Sequence, residues 1–201
     1  MKLITIVLSL LSPFATFAAD DAKPSGAATK PPLQAEMLKM AGPGPEHEQL
    51  AGYAGNWDVE IKMGGGRNAM AYQGSARNRI TVRGRFLEMQ YEATGKGGTN
   101  EGIFTLGFDR RHKEYALVAL DSFGTYFVTS QGKRDEKTGK IKMYGKDNDP
   151  QMKAMGLTKE FVHVLDLRSA DEYAVEVWFV DTRTAERREM KFMEYTFKRK
   201  K

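Results

Sequence analysis

Cysteine is absent from this 201-residue chain. That one absence removes disulfides, thiolate metal ligands, a thiol nucleophile and a lipid-attachment cysteine. Whatever domain the chain builds must be held by packing alone. Histidine is scarce too, with only His47, His112 and His163. None of them stands in a His-x-His or His-x-x-x-His spacing, so no metal centre is expected. No Gly-x-Ser-x-Gly elbow occurs, and Gly64-Gly65-Gly66 lacks the Lys-Ser/Thr that would make a phosphate loop. Long apolar runs are missing as well. Leu3 to Leu11 is broken by Thr5 and Ser9 and falls well short of the about 20 apolar residues of a membrane span.

What surrounds that short run gives it a meaning. Lys2 precedes it, Pro13 ends it, and Thr16-Phe17-Ala18 follows with small residues where a signal peptidase cuts. Residues 1–18 therefore read as a secretory signal cleaved near Ala18, which implies a periplasmic or secreted protein. Residues 19–41, rich in Ala, Pro and Lys, read as a flexible linker, with room for a helical turn or two at Gln34 to Met40. Residues 42–201 read as one domain. The formal charge is +5 with Lys2 included, and basic residues gather at Arg77 to Arg85, Arg110-Arg111, Arg183 to Arg188 and the tail Lys198 to Lys201. Such clusters fit weak contact with an anionic envelope surface, although acids are interleaved everywhere except in the tail. No basic-aromatic module is present, and no nucleic-acid partner is expected.

From Trp57 onward the hydrophobic period is two. Trp57, Val59, Ile61 and Met63 alternate with Asp58, Glu60 and Lys62, the pattern of a half-buried strand. Comparable runs recur at Ala71–Val82, Phe86–Tyr91, Phe104–Phe108, Tyr115–Leu120, Thr125–Gln131, Ile141–Tyr144, Lys159–Leu167, Tyr173–Asp181 and Arg187–Lys198. Most are separated by short Gly, Asn or Asp turns, and no helical period lies between them to support a parallel sheet. The expectation is an all-β, antiparallel up-and-down β-barrel of about ten strands, with a β-sandwich as the alternative. Pro45 to Leu50 precedes the first strand as a short N-terminal helix, with proline at its start and glutamates near the positive end of its dipole.

Gly55-Asn56-Trp57 at the opening of the first strand resembles the signature of the lipocalin/calycin barrels. In those proteins the tryptophan closes the barrel base and a basic residue near the last strand packs across it. The resemblance makes Gly55 and Trp57 structural and assigns Arg199 or Lys198 as the partner. A wider set of residues resembles the exported bacterial family of unknown function DUF1579. It comprises Gly44-Pro45-Glu46-His47, Leu50-Ala51-Gly52, Gly55-Asn56-Trp57-Asp58-Val59, Gly84-Arg85-Phe86-Leu87-Glu88, Tyr91-Glu92, Glu101-Gly102 with Gly107-Phe108-Asp109, Asp121 with Gly124-Thr125, and Met193-Glu194-Tyr195-Thr196-Phe197-Lys198-Arg199. Val118 or Leu120 stands where that family often carries tryptophan. The resemblance implies export and a barrel, and it implies no active site.

The side chains expected to face inward are large and apolar or amphipathic, as in a pocket for a small lipophilic or amphipathic molecule. Ligand-contacting candidates are His47 and Trp57 near the short helix, Met89, Tyr91, Phe104, Tyr115 and Tyr126 along the wall, and Asp121, His163 and Glu176 as polar groups. Glu176, flanked by Val175 and Val177, faces either solvent or the interior, where it would need a cation such as Arg79 or Arg187. A binding module is the leading expectation. A hydrolase or isomerase using Asp121, His163 or Glu176 is an alternative, as is an envelope interaction protein using the basic tail. The sequence names no catalytic residue and no cofactor.

Overall fold

The computed structural model describes residues 32–64, 69–154, 159–182 and 185–201. Residues 1–18, read above as a signal, most of the 19–41 stretch, and parts of the Gly64-Gly65-Gly66 turn and of the connection before Lys159 lie outside the described residues. Among the described residues no helix is long and apolar enough to cross a membrane.

Ten strands follow two short helices, α1 (Pro32–Ala41) and α2 (Pro45–Ala51). They are β1 (Gly55–Met63), β2 (Met70–Thr81), β3 (Phe86–Gly95), β4 (Gly98–Asp109), β5 (Glu114–Asp121), β6 (Phe127–Arg134), β7 (Ile141–Asp147), β8 (Lys159–Ser169), β9 (Glu172–Asp181) and β10 (Arg188–Arg199). Every strand pairs antiparallel with its sequence neighbours, and β1 pairs with β10 to close the barrel. Closure leaves no free sheet edge. The alternation that defines β1 appears as strict burial of Trp57, Val59, Ile61 and Met63. A third helix, α3 (Pro150–Ala154), occupies the β7–β8 connection. Asp149 starts it by accepting a hydrogen bond from Gln151 N at 2.8 Å.

The barrel has two unlike ends. The starts of β1 and β3 and the ends of β2 and β10 meet at a base, which α2 covers with Leu50. Trp57 is wholly buried there, against Tyr173 at 4.9 Å edge-on, while Tyr173 stacks on Phe197 at 4.5 Å. The Tyr53 carbonyl accepts from Trp57 Nε1 at 3.1 Å and from Asn78 Nδ2 at 2.9 Å, and the same Asn78 amide donates to the Tyr173 hydroxyl at 2.7 Å. The aromatic base is thus pinned by its own polar atoms, as large buried rings require.

Arg199 closes this end. Its register partner is Trp57, and its guanidinium carbon lies 4.3 Å from the indole ring centre. Nη1 donates to Ala54 O at 3.0 Å and Nη2 to Gly52 O at 2.7 Å and Ala170 O at 2.8 Å, so one fork ties together the α2–β1 and β8–β9 turns. Gly55 stands beneath it with φ of +129°, a conformation that suits glycine, and a Cβ there would lie 3.1 Å from Nη1.

Part of the stretch expected as a linker is anchored to the same end. The Ala41 carbonyl of α1 accepts from Arg85 Nε at 3.1 Å and Nη2 at 2.8 Å, while Arg110 Nη1 donates to Lys39 O at 2.6 Å and Gly42 O at 3.1 Å. Two arginines from β-turns distant in sequence thereby satisfy the open carbonyls of a helix C-terminus. Linker composition alone carries no trace of them.

Lysine at position 199 keeps the charge but loses the fork. Arg199→Lys should lower unfolding stability by about 2 kcal/mol, read as a lower urea midpoint at unchanged m value. An unaltered midpoint would show that the guanidinium contacts add nothing beyond charge.

Candidate ligand-binding cavity

At the mouth, opposite the base, the interior is hollow. A cavity of about 330 Å³ is lined by Met63, Phe104, Ala119, Leu120, Asp121, Phe123, Tyr126, Val128, Lys159, Phe161, His163, Val177, Phe179, Phe192, Met193 and Tyr195. Its floor is a ring cluster: Phe104 meets Tyr195 edge-on at 5.0 Å and stacks on Tyr91 at 5.6 Å. The two tyrosine hydroxyls are 3.4 Å apart. Burial pushes both hydroxyls far above their ordinary range, and the nearby charge of Asp121 adds to the effect. Leu106, Met89, Leu117, Met143 and Ile61 fill the barrel with almost no exposure.

Four of the candidates named from sequence line this cavity: Phe104, Asp121, Tyr126 and His163. Tyr91 backs the floor from behind Phe104. The others lie elsewhere. Met89 is packed core. Trp57 seals the base, and Tyr115 packs against Phe108 at 4.8 Å with its hydroxyl accepting from Arg134 Nη2 at 3.4 Å. His47 belongs to α2, where its Nδ1 accepts from Gly44 N at 3.0 Å and the ring meets Phe108 edge-on. It caps the helix, and burial, with Arg110 and Arg85 adding and Glu46 opposing, keeps its pKa below the ordinary imidazole range.

Glu176 does not join the cavity either. Its neighbours Val175 and Val177 face inward, so by the strand period its carboxylate belongs to the outer wall. It is nevertheless only 5% exposed, because Trp178 donates to it from Nε1 at 2.8 Å and Lys140 and Lys191 lie at 3.8 Å. Neither Arg79 nor Arg187 is its partner: Arg79 pairs with Glu88 and Arg187 with Glu160.

His163 is the most buried polar group of the cavity wall. Its Nδ1 is 2.9 Å from Ser130 Oγ, and Phe161 packs edge-on against the ring at 5.2 Å. Burial lowers its pKa to about 4, so the ring is neutral at physiological pH. A serine beside a histidine suggests a nucleophile and its base. Ser130, however, is buried and does not line the cavity, so its hydroxyl orients the ring from behind. Among the described residues no group of three or more metal-ligating side chains assembles.

Lys159 and Asp121 stand at the mouth. Lys159 pairs with Asp147 at 3.3 Å and lies over the rings of Tyr126 and Phe179 at 5.6 and 5.7 Å. Asp121 ends β5 and accepts from Phe123 N at 2.9 Å, a bond that shapes the turn carrying Phe123. Burial raises its pKa against the opposing pull of that bond. A larger groove, about 810 Å³, runs outside the barrel past Arg77, Gln90, Glu92 and Glu101 and reaches Asp121 from the other side. Its lining mixes those polar and charged groups with Ile103, Leu120, Tyr126 and Phe127, and so lacks the mostly apolar wall of the inner cavity.

Sequence reasoning passes over Ala119, Leu120, Phe123, Lys159, Met193 and Tyr195. A register shift between Lys191 and Met193 explains the last two. Alternation assigns Phe192 inward, which sends Met193 and Tyr195 out; the bulge lets Phe192 and Met193 both line the cavity.

The family model described as a protein of unknown function, DUF1579, matches residues 42–199, from the turn before α2 to the arginine that closes the base. The chain belongs to DUF1579. Solved structures similar to this DUF1579 barrel include the following two. One is a de novo designed fluorescence-activating β-barrel, at 16% identity and a TM-score of 0.40, covering 75% of this chain and 96% of that one. The other is the crystal structure of Rv2717c from M. tuberculosis, at 15% identity and a TM-score of 0.48, covering 80% of this chain and all of that one. No curated protein matches the sequence.

The buried imidazole makes an acid-sensitive element of this DUF1579 cavity. The unfolded chain takes up the proton near pH 6.5, the folded one only near pH 4. Between those values the unfolded state binds more protons, so stability falls on acidification across that window and is insensitive to this group above it. His163→Gln should show a shallower loss of stability from pH 6.5 to pH 4 than the parent, measured by urea unfolding at each pH. Equal slopes would mean that the ring is not held neutral.

Proposed function

We propose that this DUF1579 protein is an exported binding module that shelters a small lipophilic or amphipathic molecule in the mouth half of its barrel. One observation carries the reading: a cavity of about 330 Å³ whose walls are aromatic, aliphatic and thioether groups, with a few polar groups gathered at His163, Lys159 and Asp121. Binding pockets for small molecules are commonly about 300–1,000 Å³, mostly apolar, with few polar anchors. The remaining interior is filled, so the cavity is a local departure from close packing rather than a uniformly loose core. Met63 and Met193 on its wall are flexible and polarizable, which suits a guest of variable shape.

The catalytic alternative draws less support: Glu176 lies on the outer wall, and Asp121 and His163, although both line the cavity, are hydrogen-bonded to Phe123 N and Ser130 Oγ rather than to each other. The envelope-contact alternative loses part of its charge to internal use: Arg199 is engaged at the base, and Lys200 pairs with Asp58 at 3.3 Å.

The test is direct. Protein purified from its own host should carry a non-covalent small-molecule adduct in native mass spectrometry, and the emptied protein should bind Nile red with one site. Val177→Trp, which builds a ring into the cavity from β9, should weaken Nile red binding at least about tenfold while the melting temperature stays close to that of the parent. Undiminished Nile red binding by that variant would place the site elsewhere.

A further inference from the structure

We propose that the guest carries a cationic, ammonium-type head group, held at the mouth by the carboxylate of Asp121 and the aromatic faces around it, with its apolar body lying inward. The inference rests on the binding reading above and names the class of ligand.

Asp121 is the last residue of β5, on the inward side with Tyr115, Leu117 and Ala119, and it is half-buried. Apart from the Phe123 amide, no hydrogen bond or ion pair reaches its carboxylate among the described residues. The other charged or buried polar groups of the cavity are already engaged. Lys159 is set against Asp147, the hydroxyls of Tyr91 and Tyr195 face each other, and His163 holds Ser130. Asp121 is therefore the charge that faces the cavity without a counter-ion.

A half-buried carboxylate without a cation loses hydration, and the one bond from the Phe123 amide offsets only part of that loss. The raised pKa of Asp121, caused by burial, reflects the same cost. A carboxylate guest would add a second negative charge beside it, whereas an ammonium guest cancels the charge. The surroundings agree with that choice. Phe104, Phe123, Tyr126 and Tyr195 line the same space, and ring faces attract cations. Lys159 already uses two such faces, those of Tyr126 and Phe179, which shows that the mouth accommodates a cation over its rings. His163, neutral at physiological pH, does not oppose the added charge.

Displacement of Nile red by decylammonium, decanol and decanoate at neutral pH tests the idea on the parent protein and on Asp121→Asn. The variant keeps an acceptor for the Phe123 amide and removes only the charge. In the parent, decylammonium should displace Nile red at a concentration about tenfold lower than decanol, with decanoate weakest. In Asp121→Asn the amine should fall to the level of the alcohol while decanol is unchanged. If the amine fails to lead in the parent, or still leads in the variant, the cationic assignment is overturned and the cavity reading stands. If Nile red itself does not bind, both fall together.

Discussion

The contact between Trp57 and Arg199 is the constraint on which the rest of the structure depends. The two residues are register partners on the strands that join the beginning and end of the sheet, so their stacking is made only when the barrel is closed. The fork of Arg199 also reaches carbonyls at Gly52, Ala54 and Ala170, which brings the start of β1 and the β8–β9 turn into one assembly. With the base sealed by Trp57, Tyr53, Tyr173 and Phe197, the mouth can be left incompletely filled. A barrel packed loosely at both ends would have no region in which the hydrophobic effect and pinned polar atoms reinforce each other.

The outer wall adds a second layer over β7 to β10. Val162, Val164 and Ala174 on β8 and β9 are almost wholly covered although they lie between inward-facing neighbours, and Glu176 is buried beside them. Long charged side chains and Trp178 gather on this face, with Lys191 over the Trp178 ring at 5.8 Å. Lys140 and Lys191 bridge to Glu176, and Arg168 joins Asp166, Glu172 and Glu194. Because the pairs form a network rather than isolated contacts, they fix the side of the barrel that carries Val177, Phe179, Phe192 and Met193 on its inner face.

Most of the architecture is legible in the chain because β structure writes its period directly into it. Trp57 to Met63 and Phe161 to Leu165 show which residues face inward before any coordinate is known, and Gly55-Asn56-Trp57 with Arg199 anticipates the seal. The height of a residue along the barrel axis is not legible. Met89, Tyr115 and His163 all face inward, yet one lies in the packed core, one near the base and one in the cavity, and only strand stagger separates them. Alternation also fails where backbone geometry breaks it, as at Phe192 and Met193. It cannot tell a hydrated outer face from one where long charged side chains gather, which is why Glu176 is open to two readings. Lys159 looks like an ordinary surface charge because its aromatic neighbours, Tyr126 and Phe179, come from other strands.

Both ends of the described chain gather at one pole of the barrel. Helix α1 is tied there by Arg85 and Arg110, and Lys200 N donates to Asn56 O beside Trp57 at 3.0 Å. The opening, bounded by Phe123, Tyr126 and Lys159, lies at the other pole. Any tether, label or fused domain joined at residue 32 or 201 would hang from the sealed pole, leaving the aperture unobstructed and turned away from its attachment.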